Sequence, residues 1–259
     1  MNYETLMVAD QGLVRTITLN RPERRNAMTP EMQMELLAAM ADSAASGCRV
    51  LVLAGAGQAF CSGLDLSALQ AAHGKMAHEH RADAERIAKL FRTLYELPIP
   101  TIAAVHGAAI AGGAGLAIIC DFLLATPEAR FGFTEARIGF VPALVSAFLV
   151  LQIGDKRSRD LLLTGRLFDA EEAWRLGLVN EVVPPEELAQ RVNALAGTLI
   201  ANSPMSLDAT KRLMAAQNRT WLNAAINAAL ETNAQARETA DLREGVAAFL
   251  EKRRPIWTK

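Results

Sequence analysis

The sequence predicts an α/β fold that gives way to a helical C-terminal part. Three observations carry this. Short apolar runs of strand type alternate with segments of helical period over roughly the first 150 residues, which is the pattern of interleaved strands and helices. A glycine-rich stretch follows a buried run twice, at Gly55–Gly63 and at Gly107–Gly115. After about Asp155 the pattern becomes mostly helical.

Taken in order, residues 4–8 and 13–19 flank Asp10-Gln11-Gly12. The second run alternates Leu13, Arg15, Ile17 and Leu19 against Val14, Thr16 and Thr18, which predicts a hairpin. Thr29-Pro30-Glu31 is a helix start, with threonine as cap and proline at the first position. Met32, Leu36, Leu37 and Met40 then share one face until Gly47. Residues 49–54 read as a buried strand. In residues 81–97, Ile87, Leu90, Phe91, Leu94 and Tyr95 recur at helical spacing, and residues 101–105 form another strand before the second glycine stretch. Further helices are expected at 156–163, 170–176, 185–201, 204–216, 220–238 and 241–252, interrupted by a short strand at 179–183. Asn202-Ser203-Pro204 punctuates the chain and places a boundary between core and helical part near residue 200.

Composition narrows the function. With 259 residues, 51% of them hydrophobic, the chain can bury a large core. Its 27 Lys and Arg nearly cancel 28 Asp and Glu, so it offers no electrostatic footprint for nucleic acid or an anionic membrane; a small-molecule partner is expected. Cys48, Cys61 and Cys120 form no C-x-x-C pair, and the N-terminus lacks a charged segment followed by an apolar one. Both point to a reducing, cytoplasmic setting. Residues 101–120 have the length of a membrane span, but Ala and Gly dominate them, His106 interrupts them, and Pro98 and Pro100 precede them. A strand, a glycine turn and a helix account for the same residues.

Three segments bear chemistry. Gly55-Ala56-Gly57-Gln58-Ala59-Phe60-Cys61-Ser62-Gly63-Leu64-Asp65-Leu66 joins a buried strand to a helical pattern and exposes backbone N–H groups, or is an ordinary strand-to-helix turn. His106-Gly107-Ala108-Ala109-Ile110-Ala111-Gly112-Gly113-Ala114-Gly115-Leu116 lacks the strict G-x-G-x-x-G of a dinucleotide loop; its glycines either present amides or permit close packing. In Ala129-Arg130-Phe131-Gly132-Phe133-Thr134-Glu135-Ala136-Arg137-Ile138-Gly139-Phe140-Val141-Pro142, one carboxylate sits among apolar residues and glycines. Glu135 is there either a proton carrier with raised pKa or a cap or salt-bridge partner of Arg130 or Arg137.

In this order and at these separations the three segments resemble the enoyl-CoA hydratase/isomerase (crotonase) family. The likeness extends to Leu19-Asn20-Arg21-Pro22, Asn26-Ala27-Met28, Cys120-Asp121, Leu163-Thr164-Gly165, Gly177-Leu178-Val179-Asn180 and Arg243-Glu244-Gly245-Val246-Ala247-Ala248-Phe249, and so covers essentially the whole chain. The resemblance implies a crotonase-like spiral of ββα repeats over residues 1–200 and a C-terminal helical trimerisation region over 201–259, assembled as a homotrimer or a dimer of trimers. It implies an acyl-CoA thioester substrate, with coenzyme A part of the substrate and no separate cofactor or metal. The oxyanion hole falls on the backbone N–H groups of Cys61 and Gly112, and Glu135 is the general acid/base. Ser62, Gly63 and Leu64 line the substrate loop. The adenine of coenzyme A lies near Ala59 of the first loop and near Arg24 and Arg25, while a helix with Phe249 and Lys252 comes from a neighbouring subunit.

One departure matters. Familiar hydratases of that family carry a second glutamate where this chain has Gly115. A single acid is the pattern of 3,2-enoyl-CoA isomerases, yet one group can remove a proton from water and deliver one to the α-carbon in turn, so hydration is the first expectation and isomerisation the second. A scaffold that binds CoA esters without chemistry is a third reading. Pairing Cys61 with His106 as a hydrolase, or reading His73, His78 and His80 as a metal site, has no support beyond residue identity; the histidines are expected on an exposed loop near the acyl pocket.

Overall fold

The computed structural model describes residues 3–257. Strands β1 (Leu6–Gln11) and β2 (Val14–Leu19) form the expected hairpin, with Leu6 opposite Leu19 and the turn made at Gly12, whose φ is +60°. The period-2 alternation of β2 buries Arg15 beside Ile17 and Leu19, and that charge is held by Asp10 and Asp42. Thr29 caps α1 (Pro30–Ala45) by accepting from the Met32 N–H, as its sequence implies.

From there the chain winds in repeated turns. Each turn lays one strand in a large sheet and one in a small sheet before it enters a helix. The large-sheet strands are β3 (Val50–Gly55), β5 (Thr101–Val105) and β7 (Phe122–Ala125); the small-sheet strands are β4 (Ala59–Cys61), β6 (Ala108–Ile110) and β8 (Arg130–Gly132). The returning helices are α2 (Leu66–Ala71) with α3 (Ala77–Tyr95), then α4 (Gly112–Ile119), then α5 (Ala143–Thr164). Successive strands within each sheet are parallel, which needs a crossover per turn, and the helices supply it. With β9 (Leu167–Asp169) and β10 (Glu181–Val182) the sheets read β1-β2-β3-β5-β7-β10 and β4-β6-β8-β9. This is the spiral of ββα turns that the resemblance implies.

β3 and β5 are unbroken apolar runs because both faces are covered. Leu51, Leu53 and Ala103 join the main core, which also holds Phe60, Phe91, Phe131 and Phe148. Val50, Val52, Ile102 and Ala104 face Val192, Ala196 and Leu199 of α7 (Leu188–Ala201). After α6 (Ala170–Leu176) and α7, the C-terminal part continues as α8 (Pro204–Ala236) and α9 (Ala240–Leu250).

Three expectations change. The helices expected at 204–216 and 220–238 are one, α8, because Gln217-Asn218-Arg219 is polar but holds no glycine or proline to stop propagation. Residues 143–153, whose run is too apolar to show a face, are helical and join the expected 156–163 helix through Gly154, where φ is +75°. His73 and His80 are not on an exposed loop; His80 is 3% exposed within α3. Residues 101–120 split into β5, β6 and α4, and no helix among the described residues is long and apolar enough to cross a membrane.

Candidate active site

Two glycine loops are held against each other by the segment between β2 and α1. Arg25 and Asn26 both have positive φ, at 50° and 55°, a backbone state that asparagine tolerates better than most residues. The buried Asn26 side chain accepts from the Arg21 N–H and donates to the carbonyls of Ala56 and Ala59, each at 2.8 Å. This fixes residues 25–28 alongside the chain leaving β4. There the Ser62 N–H donates to the Arg25 carbonyl (3.0 Å), the Met28 N–H to the Gly63 carbonyl (2.7 Å) and the Asp65 N–H to the Met28 carbonyl (3.0 Å), a parallel bridge between Met28 and Leu64. Asp65 then caps α2 and pairs with Arg21 at 3.0 Å.

The second loop turns from β6 into α4 at Ala111, whose backbone (φ 52°, ψ −125°) is one that residues with a Cβ rarely adopt. Gly112 opens the helix. A Cβ on Gly113 would stand 2.2 Å from the Cys61 carbonyl oxygen, and one on Gly63 only 3.0 Å from Ala111 Cβ and 3.6 Å from the Gly112 nitrogen. Glycine is therefore required for the two loops to meet. α4 makes its first return bond from the Gly115 N–H to the Ala111 carbonyl (3.0 Å), which leaves the earlier amides of its first turn without partners inside the helix.

The chain leaving β8 passes Thr134 into a short 3₁₀ turn, Glu135–Ile138, whose first residue is the expected acid. Glu135 is 9% exposed and its Oε2 has no hydrogen-bond partner among the described residues. Burial pushes its carboxyl up to about 7. The salt-bridge alternative is not what forms: the Arg130 guanidinium donates to the carbonyls of Pro127 and Ala129, Arg137 is exposed, and neither is ion-paired with Glu135.

These parts share one cavity of about 600 Å³. Of the residues singled out from the sequence, Arg25, Ser62, Leu64, Gly112, Glu135 and Phe249 line it, Phe249 from this chain's own α9 and not, as expected, from a neighbouring subunit. Ala59, Cys61 and Gly63 stand behind that wall, and Arg24 and Lys252 are exposed away from it. The thiol of Cys61 is fully buried, donates to the Asn26 carbonyl at 3.1 Å and is pushed up to about 12 by burial. His106 sits 2.8 Å from the Gly57 carbonyl, so the Cys61–His106 pair does not form. Among the described residues no cluster of three potential metal ligands exists.

Sequence reasoning places acyl-pocket side chains in residues 66–84 and around 144–148, and Leu66, Leu69, Leu144 and Val145 do line the cavity; it misses Met28, Ile87, Phe91, Arg137, Asn233 and Arg253. Phe91, beside Val145, is the consequential one. A Cβ on Gly115 would lie 2.8 Å from Phe91 Cζ and 3.2 Å from Val145 Cγ2, so apolar side chains occupy the place of the second glutamate of two-acid relatives. The helical periodicity of residues 81–97 marked Phe91 as inward-facing; nothing in it showed which cavity the ring closes.

A family model described as enoyl-CoA hydratase/isomerase matches residues 9–259. A Thermus thermophilus protein that carries an enoyl-CoA hydratase name is 46% identical over 251 residues, covering 96% of this chain and 99% of its own. The crotonyl-CoA hydratase of Syntrophomonas wolfei is 31% identical, with 98% of each chain covered. Among solved structures, an enoyl-CoA hydratase/isomerase from Xanthobacter autotrophicus Py2 matches with a TM-score of 0.89 at 31% identity, over 97% of both chains.

Proposed function

The chain belongs to the enoyl-CoA hydratase/isomerase family, and from that premise we propose that it hydrates the conjugated double bond of an enoyl-CoA thioester, with Glu135 as the one proton carrier. The observation that carries this reading is the unpartnered Oε2 of the buried Glu135 carboxyl in the same cavity as the first turn of α4.

The thioester oxygen is held by two amides, those of Gly112 and Leu64. Leu64 takes the place expected for Cys61 on a register argument. In the run 62–65, the N–H groups of Ser62 and Asp65 are spent on residues 25 and 28, and that of Gly63 faces the Cys61 sulfur; the Leu64 N–H points to the other side of the strand, where Leu64 lines the cavity. Cys61 does not line it. In a dry site such donors stabilise developing enolate charge far better than water does. The ionised Glu135 removes a proton from water, the resulting hydroxide adds at the β-carbon, and the enolate collapses as the same carboxyl returns the proton to the α-carbon. A group that titrates near 7 is suited to both halves.

Isomerisation is the second reading, favoured by the apolar filling at Gly115, since moving a proton between two carbons needs no site for water. Coenzyme A is carried as part of the substrate. Its binding is assigned to Arg24, Arg25, Ala59, Ser62, Gly63, Leu64, Phe249 and Lys252, of which Arg25, Ser62, Leu64 and Phe249 reach the cavity. The exposed Met205, Leu213, Met214 and Trp221 of α8 support assembly into a homotrimer or a dimer of trimers, which light scattering after gel filtration would measure.

The test incubates the protein in heavy water with crotonyl-CoA and with a 3-enoyl-CoA. Loss of the conjugated absorbance with the first supports hydratase; its appearance with the second supports isomerase. Binding of both esters with neither reaction nor deuterium exchange would make the chain a non-catalytic CoA-ester scaffold.

A further inference from the structure

Among the polar side chains of the cavity that the chemistry above does not use, Asn233 is the one that is almost wholly buried. Asn233, on α8, is 4% exposed and lines the cavity wall with Leu69, Ile87 and Phe140. Its Oδ1 accepts from Arg237 Nε at 3.0 Å. A guanidinium has donors and no acceptor, so the atom facing it must be the amide oxygen, and the NH₂ group is turned away. Among the described residues that NH₂ donates to no protein group, although the side chain is almost wholly removed from solvent. Arg237 is itself fixed: it is 4% exposed, its guanidinium carbon lies 5.7 Å from the centroid of the Phe140 ring, and its Nη1 is 3.9 Å from Asp83. Asp83 also receives Lys75 at 2.7 Å and Arg86 at 2.5 Å, so three cations converge on one carboxylate and the local surplus is positive.

We propose that Asn233, positioned by Arg237, is a specificity residue for acyl chains that carry an oxygen acceptor beyond the double bond, a carboxylate above all. The Nδ2 atom is not among the sealed side-chain atoms that lack a partner, so it opens onto the cavity, and a bound chain that excludes solvent there leaves it unsatisfied unless the ligand supplies an acceptor. The positive surplus behind it disfavours nothing about an anionic chain end and draws one in. A chain ending in methyl leaves the donor unsatisfied, and discrimination by such an unpaired polar group exceeds what one methylene supplies.

The inference rests on the acyl-CoA reading, and the test keeps the two apart. The wild-type protein is assayed with 2-enoyl-CoA esters of equal chain length ending in carboxylate or in methyl. It should favour the carboxylate ester about tenfold or more in kcat/KM, the size expected of a hydrogen bond to a charged group. Asn233→Leu should collapse that ratio towards one through KM. Asn233→Asp keeps an acceptor for Arg237, guards against a folding failure of the leucine variant, and should invert the ratio by repelling the anion. A wild type that prefers the methyl ester, or variants that leave the ratio unmoved, would overturn the proposal. If neither ester reacts, the hydration reading has failed; calorimetry with the saturated carboxylate- and methyl-ended CoA esters then decides the inference alone. Tighter carboxylate binding that Asn233→Leu abolishes upholds it, and equal binding sinks it.

Discussion

Replacing Glu135 by Gln should stabilise the protein at alkaline pH while disabling it. Burial pushes the carboxyl up to about 7 from an ordinary 4.5, so between those values the folded chain holds a proton that the unfolded chain has released. Folded protein binding the extra proton means that stability falls as pH rises: the penalty is absent below about 4.5, grows through the interval and is complete above about 7. At about 1.4 kcal/mol for each pH unit, the penalty reaches about 3 kcal/mol. Glutamine has nearly the same shape and cannot ionise. Urea unfolding followed by tryptophan fluorescence, at fixed protein concentration, should find the two proteins alike near pH 4.5 and the Gln variant about 3 kcal/mol more stable near pH 8. Turnover of the same variant should be down by orders of magnitude, while wild-type kcat/KM rises through about pH 7 as the base form appears. A stability difference that does not change with pH, or a wild type that is the more stable protein at pH 8, would refute the desolvation on which the assignment depends.

Cys61→Ala should keep most activity, because the thiol is buried, bonded to the Asn26 carbonyl and absent from the cavity; a dead variant in a steady-state assay would revive a cysteine mechanism. Gly112→Pro removes a proposed donor. Proline suits a first helical position, but it follows Ala111 with its positive φ, so loss of activity by about a hundredfold or more should come with a lowered unfolding midpoint. Gly115→Glu alone should cost about 1–3 kcal/mol by overpacking against Phe91 and should gain no hydration. Combined with Phe91→Ala it should show favourable coupling in a double-mutant cycle and faster hydration than either single variant; additive losses would mean that Phe91 is not what blocks the position.

Much of this was legible in local patterns. The Thr29-Pro30 cap, the hairpin and the buried runs of β3 and β5 are dictated by neighbours in sequence, and the structure repeats them with shifts of up to three residues. Glu135 stood out because an acid among phenylalanines and glycines has few ways to be solvated. What stayed hidden is set by long-range register. β4, β6 and β8 are three residues each, too short to show a period, and exist only because each pairs with the next turn of the spiral. Which amides of the run 62–65 are spent, those of Ser62 and Asp65, is set by bonds to Arg25 and Met28, more than thirty positions earlier. The unbroken α8 shows the reverse error, since polarity was read as punctuation where no residue breaks a helix.

The glycine at 115 bears on more than the number of acids. A second carboxylate in the cavity would set two like charges against each other and split their proton affinities; here Phe91 and Val145 fill that place, and burial is the dominant influence on Glu135. The low dielectric that raises the proton affinity of the acid would also strengthen the proposed oxyanion donors, the amides of Leu64 and Gly112, so the ring of Phe91 is expected to tune both halves of the proposed site at once. Truncating it should separate them. Phe91→Ala opens the wall of a cavity that already meets solvent, so water should reach Glu135 and the acid limb of the kcat/KM profile should move from about 7 towards the ordinary carboxylate range. Proton transfer should slow at the same time, because a weaker base meets a weaker oxyanion site. An acid limb that stays near 7 in this variant would mean that something other than the dry wall around Phe91 holds the proton on Glu135.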